Sequence, residues 1–149
     1  MPRNQPAATI LPLCFETPAQ PEALPTISQQ VMAAAREQGI SPDVLQRLDL
    51  VLEEALMNTA LHGYGGKGGG MTVKLDFVDD GCLKLTLEDC GVPFDPTTAS
   101  TPDLSIPVEE RPIGGLGIHL IRSMSDTLTY HRDGKRNILT LVLCPGKTV

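Results

Sequence analysis

Tryptophan is absent, and only two tyrosines and three phenylalanines occur in 149 residues. Aromatic rings therefore cannot fill the interior, so leucine, valine and isoleucine must do so. Also missing is any Cys-x-x-Cys pair: Cys14, Cys82, Cys90 and Cys144 are scattered, with no histidine at zinc spacing. That excludes a structural zinc knot, and we expect four reduced thiols in a cytosol. No run approaches the roughly 18 apolar residues of a membrane span. The opening MPRNQPAATILPLCFE has no long apolar stretch before a small-residue cleavage site, so we expect a cytoplasmic chain without membrane association. Basic clusters are lacking too. Lysine and arginine number 12 against 18 acidic residues, form no run, and leave a net charge of -6. A phosphate polymer would be repelled, which argues against direct nucleic-acid binding. A single nucleotide is a different matter, because backbone N–H groups and a metal ion can hold one.

What is present is ordinary for a globular protein: 41% hydrophobic and 20% charged residues. A chain of this length buries about two-thirds of its unfolded surface as one core. We expect one domain over residues 1–149, without internal repeats.

In chain order, Ala8 to Glu16 reads as a first strand, which Pro12 confines to an edge or a bulge. Pro21 to Gln38 reads as a helix with Leu24, Ile27, Val31, Ala34 and Ala35 on one face and Gly39 to stop it. Ser41-Pro42-Asp43 supplies an N-cap, an N1 proline and a first-turn acid, starting a second helix near Pro42 that runs to Tyr64. Gly65 to Gly70 is a loop. Met71 to Val78 and Cys82 to Glu88 alternate apolar and polar residues about Asp79-Asp80-Gly81, a hairpin signal. Residues 89–111 are rich in Pro, Thr, Ser, Asp and Glu, an irregular excursion whose length suggests a functional lid. Ile113 to Asp126 opens with glycines and continues as a helix, and a second hairpin follows about Asp133-Gly134. This order predicts an α+β fold: a two-layer α/β sandwich, with a mixed, mostly antiparallel sheet and helices on one face.

Three segments carry chemistry. On the second helix Glu54, Asn58 and His62 recur every fourth residue and so share one polar stripe, opposite Leu48, Leu52, Ala55, Leu56 and Thr59. Next, Glu88-Asp89-Cys90-Gly91 ends a strand in a carboxylate followed by a residue without a side chain. An aspartate there can accept from an exocyclic amine, and Gly91 would let a flat ring approach the backbone. Last, Gly114-Gly115-Leu116-Gly117 directly precedes a helix, whose free N–H groups suit a phosphate. Each segment has a plain alternative: a solvated helix face, a turn, or a flexible loop at a helix start.

In this order, E-x-x-x-N on a helix, D-x-G after a strand and G-x-G before a helix resemble the three nucleotide boxes of the GHKL ATPase superfamily. The likeness runs from about Ser28 to Leu143 and is strongest to the anti-sigma-factor serine kinases and their relatives. The resemblance implies that Asn58 holds Mg²⁺ on the phosphates of ATP and that Glu54 is the general base. It implies that Asp89 binds the adenine amino group with Gly91 beneath the base. Gly114, Gly115 and Gly117 would hold the phosphates, with Leu116 and its neighbours closing a lid over about residues 92–113. Asn137 stands where the superfamily often has a threonine near the adenine. His62 is read as structural. Implied partners are a sigma factor and an anti-anti-sigma antagonist phosphorylated on serine, together with a homodimer through the sheet or first helix.

Departures accompany the likeness. Pro93 replaces the second glycine of D-x-G-x-G, and the first helix carries no basic residue before Arg36. The second departure favours an alternative: a nucleotide-gated regulatory module without phosphotransfer.

Overall fold

The computed structural model describes residues 12–64, 68–98, 105, 107 and 115–146. Strand β1 is Leu13–Pro18, helix α1 Leu24–Glu37, helix α2 Pro42–Asn58, strands β2 Gly70–Phe77 and β3 Leu83–Asp89, helix α3 Gly115–Met124, and strands β4 Thr127–Asp133 and β5 Arg136–Leu143. The start of the expected first strand, residues 8–11, lies outside the described residues, as do residues 65–67 and Gly114. Of the expected lid, 92–98, 105 and 107 are described, including a 3₁₀ turn at Pro96–Thr98.

Local chemistry explains these limits. A 3₁₀ turn at Pro21–Ala23 leads into α1, and Gly39 ends it in the left-handed region at φ 74°. Ser41 holds the N-cap position of α2, but its hydroxyl donates to Asp43 Oδ1 at 2.6 Å and caps no helix N–H. At its far end α2 widens into a π-turn over Thr59–Gly63, where the sequence suggested an unbroken helix to Tyr64. The first hairpin joins Phe77 to Leu83 through residues 78–82 and turns on Asp80 (φ 64°) and Gly81 (φ 73°), both left-handed.

The five strands run in the order β1-β2-β3-β5-β4, and every neighbouring pair is antiparallel. Strand β1 is an edge and begins at Leu13, directly after Pro12. The alternation of β2, β3 and β5 sends Val73, Leu75, Leu83, Leu85, Leu87, Leu141 and Leu143 to one face. There they meet Leu24, Ile27 and Val31 of α1, Val44, Leu48, Val51, Leu52 and Leu56 of α2, and Ile121 of α3 in a single apolar cluster. Helix α2 packs between α1 and α3. The result is the expected α+β sandwich, with the sheet antiparallel throughout.

The cysteine expectation is corrected. Cys82 and Cys144 form a disulfide, with Cα atoms 4.2 Å apart, while Cys14 and Cys90 are free and exposed. The register explains this. Leu83 pairs with Leu143 across β3 and β5, so the next residue outward on each strand faces the other despite a separation of 62 in sequence.

Candidate functional site

Helices α2 and α3 meet over the polar stripe. Glu54 and Asn58 lie half-buried one turn apart on α2, and neither side chain has a hydrogen-bond partner among the described residues. Gly117, in the first turn of α3, sits against them: a methyl group there would stand 2.4 Å from Glu54 Oε2 and 3.8 Å from Asn58 Nδ2. A larger residue there would push the Glu54 carboxylate out of its present position. Gly115 and Leu116 fall in the same helical turn and not in a loop ahead of it. The N–H groups of this first turn, which have no acceptor within the helix, and the positive end of the helix are therefore close to the α2 carboxylate and amide.

The other end of the site is built at the ends of β3 and β5. Asp89 closes β3, and its Oδ1 accepts from Gly91 N–H at 2.9 Å and from Asn137 Nδ2 at 2.9 Å. Asn137 faces it because Asp89 and Asn137 are paired residues of the β3–β5 ladder. Gly91 is fixed by backbone contact: a Cβ there would lie 2.3 Å from the carbonyl oxygen of Gly63, which in turn accepts from Val92 N–H at 2.8 Å. The π-turn at the end of α2 thus holds the strap after β3. The freedom that the sequence assigned to a passing ring is used here by a second strand of backbone.

Between the two ends runs a cleft lined by Asn58, Thr59, Asp89, Phe94, Tyr130 and Asn137 among others. His62 lies at its rim, with its ring 6.4 Å from that of Phe94. Three side chains of the site were not singled out in the sequence. Tyr130 and Arg132 of β4 both donate to Asn137 Oδ1, and Arg132 Nη1 also donates to Gly91 O at 2.9 Å. Their signal was the period-two spacing that puts both on the inner face of an edge strand. Tyr64 donates to Gly70 O and accepts from Cys90 N–H, each at 2.7 Å, so one phenol joins the start of β2 to the end of β3. Burial pushes that phenol above its ordinary value of 10.0, with the nearby Asp89 charge adding to the rise. No sequence period marked Tyr64, because its contacts are to loop backbone.

The donor set fits a magnesium–nucleotide complex. Glu54 and Asn58 supply hard oxygen ligands, and Asp89 retains one unpartnered oxygen on the cleft wall. Among the described residues no three His, Cys, Asp or Glu side chains cluster as a protein-only metal cage. Magnesium bound through substrate phosphates needs no such cage.

The profile of the histidine kinase-like ATPase domain matches residues 17–143. The chain belongs to the histidine kinase-like ATPase family. Within this family of similar sequences stands the serine-protein kinase RsbW of Bacillus mycoides (strain KBAB4), 27% identical over 129 residues that cover 84% of this chain and 80% of that protein. The RsbW serine-protein kinase of Bacillus cereus (strain G9842) shows the same identity and coverage. A solved histidine kinase domain, from the blue-light activated histidine kinase of Erythrobacter litoralis EL346, superposes with a TM-score of 0.47 at 16% identity. It covers 80% of this chain, and the chain spans 60% of that one.

Proposed function

We propose that this histidine kinase-like ATPase is an anti-sigma-factor serine-protein kinase, which binds a sigma factor and phosphorylates an anti-anti-sigma antagonist. The observation that supports it most is the convergence of Glu54, Asn58 and Gly117 at one end of a cleft whose other end is Asp89. The likeness to the RsbW serine-protein kinases supports the reaction, and the partners rest on the resemblance carried by the three sequence boxes. The proposal takes residues 1–149 as one domain, with a lid over about 92–113, in the cytoplasm and as a homodimer. No described helix is long and apolar enough to cross a membrane.

In this reading ATP, bound with Mg²⁺, supplies the transferred phosphoryl group. Asp89 accepts from the amino group of the adenine. Asn58 would offer its amide oxygen to the metal, and the N–H groups of Gly115, Leu116 and Gly117 in the first turn of α3 would face the phosphates. Glu54, without a hydrogen-bond partner among the described residues and one turn from Asn58, would take the proton from the incoming serine hydroxyl as the phosphoryl group leaves ADP. Such a reaction asks of the protein mainly position and charge, plus a carboxylate within reach of the hydroxyl. The alternative, a nucleotide-gated binding module without transfer, is favoured by one observation: α1 carries no basic residue before Arg36.

Thermal unfolding with and without Mg-ATP tests the binding. A ligand at about 100 times its dissociation constant adds about 2.7 kcal/mol, several degrees for a domain of this size. We expect that shift in the wild type and its loss in Asn58→Ala and Asp89→Asn; no shift in the wild type rejects a nucleotide site. Glu54→Ala should keep the shift while losing phosphate transfer to the antagonist. A wild type that binds both ATP and antagonist but transfers nothing leaves only the binding module.

A further inference from the structure

Asn137 is buried at 6% exposure, and every hydrogen-bonding group of its amide is engaged within the protein. Its Nδ2 faces Asp89 Oδ1 at 2.9 Å, Val92 O at 2.9 Å and Gly91 O at 3.3 Å. Its Oδ1 accepts from the Tyr130 hydroxyl and from Arg132 Nη1. The orientation of the amide follows from its neighbours. Turned over, it would set its oxygen against three acceptors and its nitrogen against the Arg132 guanidinium, which can only donate. An amide so occupied cannot turn to a ligand without leaving buried groups unpaired, and that penalty is large.

The consequence falls on Asp89. Its Oδ1 carries two hydrogen bonds, from Gly91 N–H and from Asn137, so the plane of the carboxylate is set. Oδ2 alone remains without a partner among the described residues, on a side chain that lines the cleft. Arg132 secures the strap from the other side by holding Gly91 O and Asn137 together. A fixed oxygen that can only accept distinguishes bases at one position. An exocyclic amine donates to it, a hydrogen in that place gains nothing, and a carbonyl sets lone pair against lone pair.

Resting on the nucleotide reading above, we infer that Asn137, braced by Tyr130 and Arg132, is a positioning residue that presents Asp89 Oδ2 to the base. It thereby makes the site selective for a purine nucleotide bearing an amino group. Asn137 itself touches no ligand. Its effect on binding runs through Asp89, and so it appears only for ligands whose amino group Asp89 can read.

Calorimetric titration of the full chain with Mg²⁺ and either ATP or the purine ribonucleoside triphosphate lacking the amino group tests this. The wild type should prefer ATP by about tenfold, the worth of one hydrogen bond to a charged group. Asn137→Ala should bind ATP about tenfold more weakly and the amino-free analogue within about twofold of wild type, so that the preference disappears. Tyr130→Phe, which removes one brace and leaves the amide in place, should lower the preference by about threefold and carries the test if Asn137→Ala unfolds. Equal weakening of both ligands in either variant would make the network merely structural and overturn the inference. A wild type that binds both ligands equally overturns it while leaving the nucleotide site standing. A wild type that binds neither removes the nucleotide reading itself.

Discussion

At position 91 a single methyl group decides whether two backbone segments can meet. The α-carbon of Gly91 lies on the Gly63 carbonyl, and a Cβ would come within 2.8 Å of three atoms of that residue, all backbone. Backbone on both sides leaves nothing flexible to move aside. Gly91→Ala should cost about 2–3 kcal/mol, in the upper range of overpacking, measured as a lowered urea midpoint. Gly70→Ala is the control, because a Cβ there meets nothing within 4 Å, and it should be close to neutral. Equal effects of the two changes would mean that the contact with Gly63 is dispensable. The sequence marked position 91 as one that needs glycine. Which partner fills the space was not legible, since Gly63 is 28 positions away on another element.

Among elements, the relation of α2 to α3 is set by one charged residue on an apolar face. Arg47 falls between Val44, Leu48 and Val51 on the buried side of α2 and has no exposed surface. Its guanidinium donates to the carbonyls of Met124 and Cys144 and pairs with Asp126 at 3.3 Å and Asp43 at 3.4 Å. It therefore ties the start of α2 to the end of α3 and the end of β5. Asp126 completes the knot by accepting from Cys144 N–H at 2.7 Å. Arg47→Ala should destabilise the fold by about 3–5 kcal/mol, because two carboxylates and two carbonyls lose their donor. Chemical denaturation reads this directly; a loss under about 1 kcal/mol would class these as weak surface pairs. An arginine amid an apolar stripe was visible in the sequence as an exception to the helical period. Asp43 is four residues away, at a spacing that a helix brings together, whereas the arginine's other partners are 77 to 97 residues away and no local pattern names them.

For the whole molecule, the Cys82–Cys144 disulfide joins the turn before β3 to the end of β5. Closing a loop of this length removes conformational freedom from the unfolded chain worth about 4 kcal/mol by the chain-entropy argument. A reductant should therefore lower the unfolding midpoint by about 10 °C. The double change Cys82→Ser with Cys144→Ser should melt at that lower temperature and ignore the reductant. An unchanged midpoint on reduction of the wild type would show that the bond is dispensable for stability.

Composition, alternation and turn residues by themselves determined the α+β class, the two hairpins and the start of α2. Each of these rests on residues a few positions apart, where period and backbone preference act directly. The polar stripe of Glu54 and Asn58, and the glycines that need close approach, were legible for the same reason. Tertiary structure alone decided what those residues face: Gly117 on Glu54, Gly63 on Gly91, Asn137 with Tyr130 and Arg132 on Asp89, Cys82 on Cys144. These contacts follow from strand register and helix packing, in which residues far apart in the chain meet because the core buries its leucines best in that arrangement.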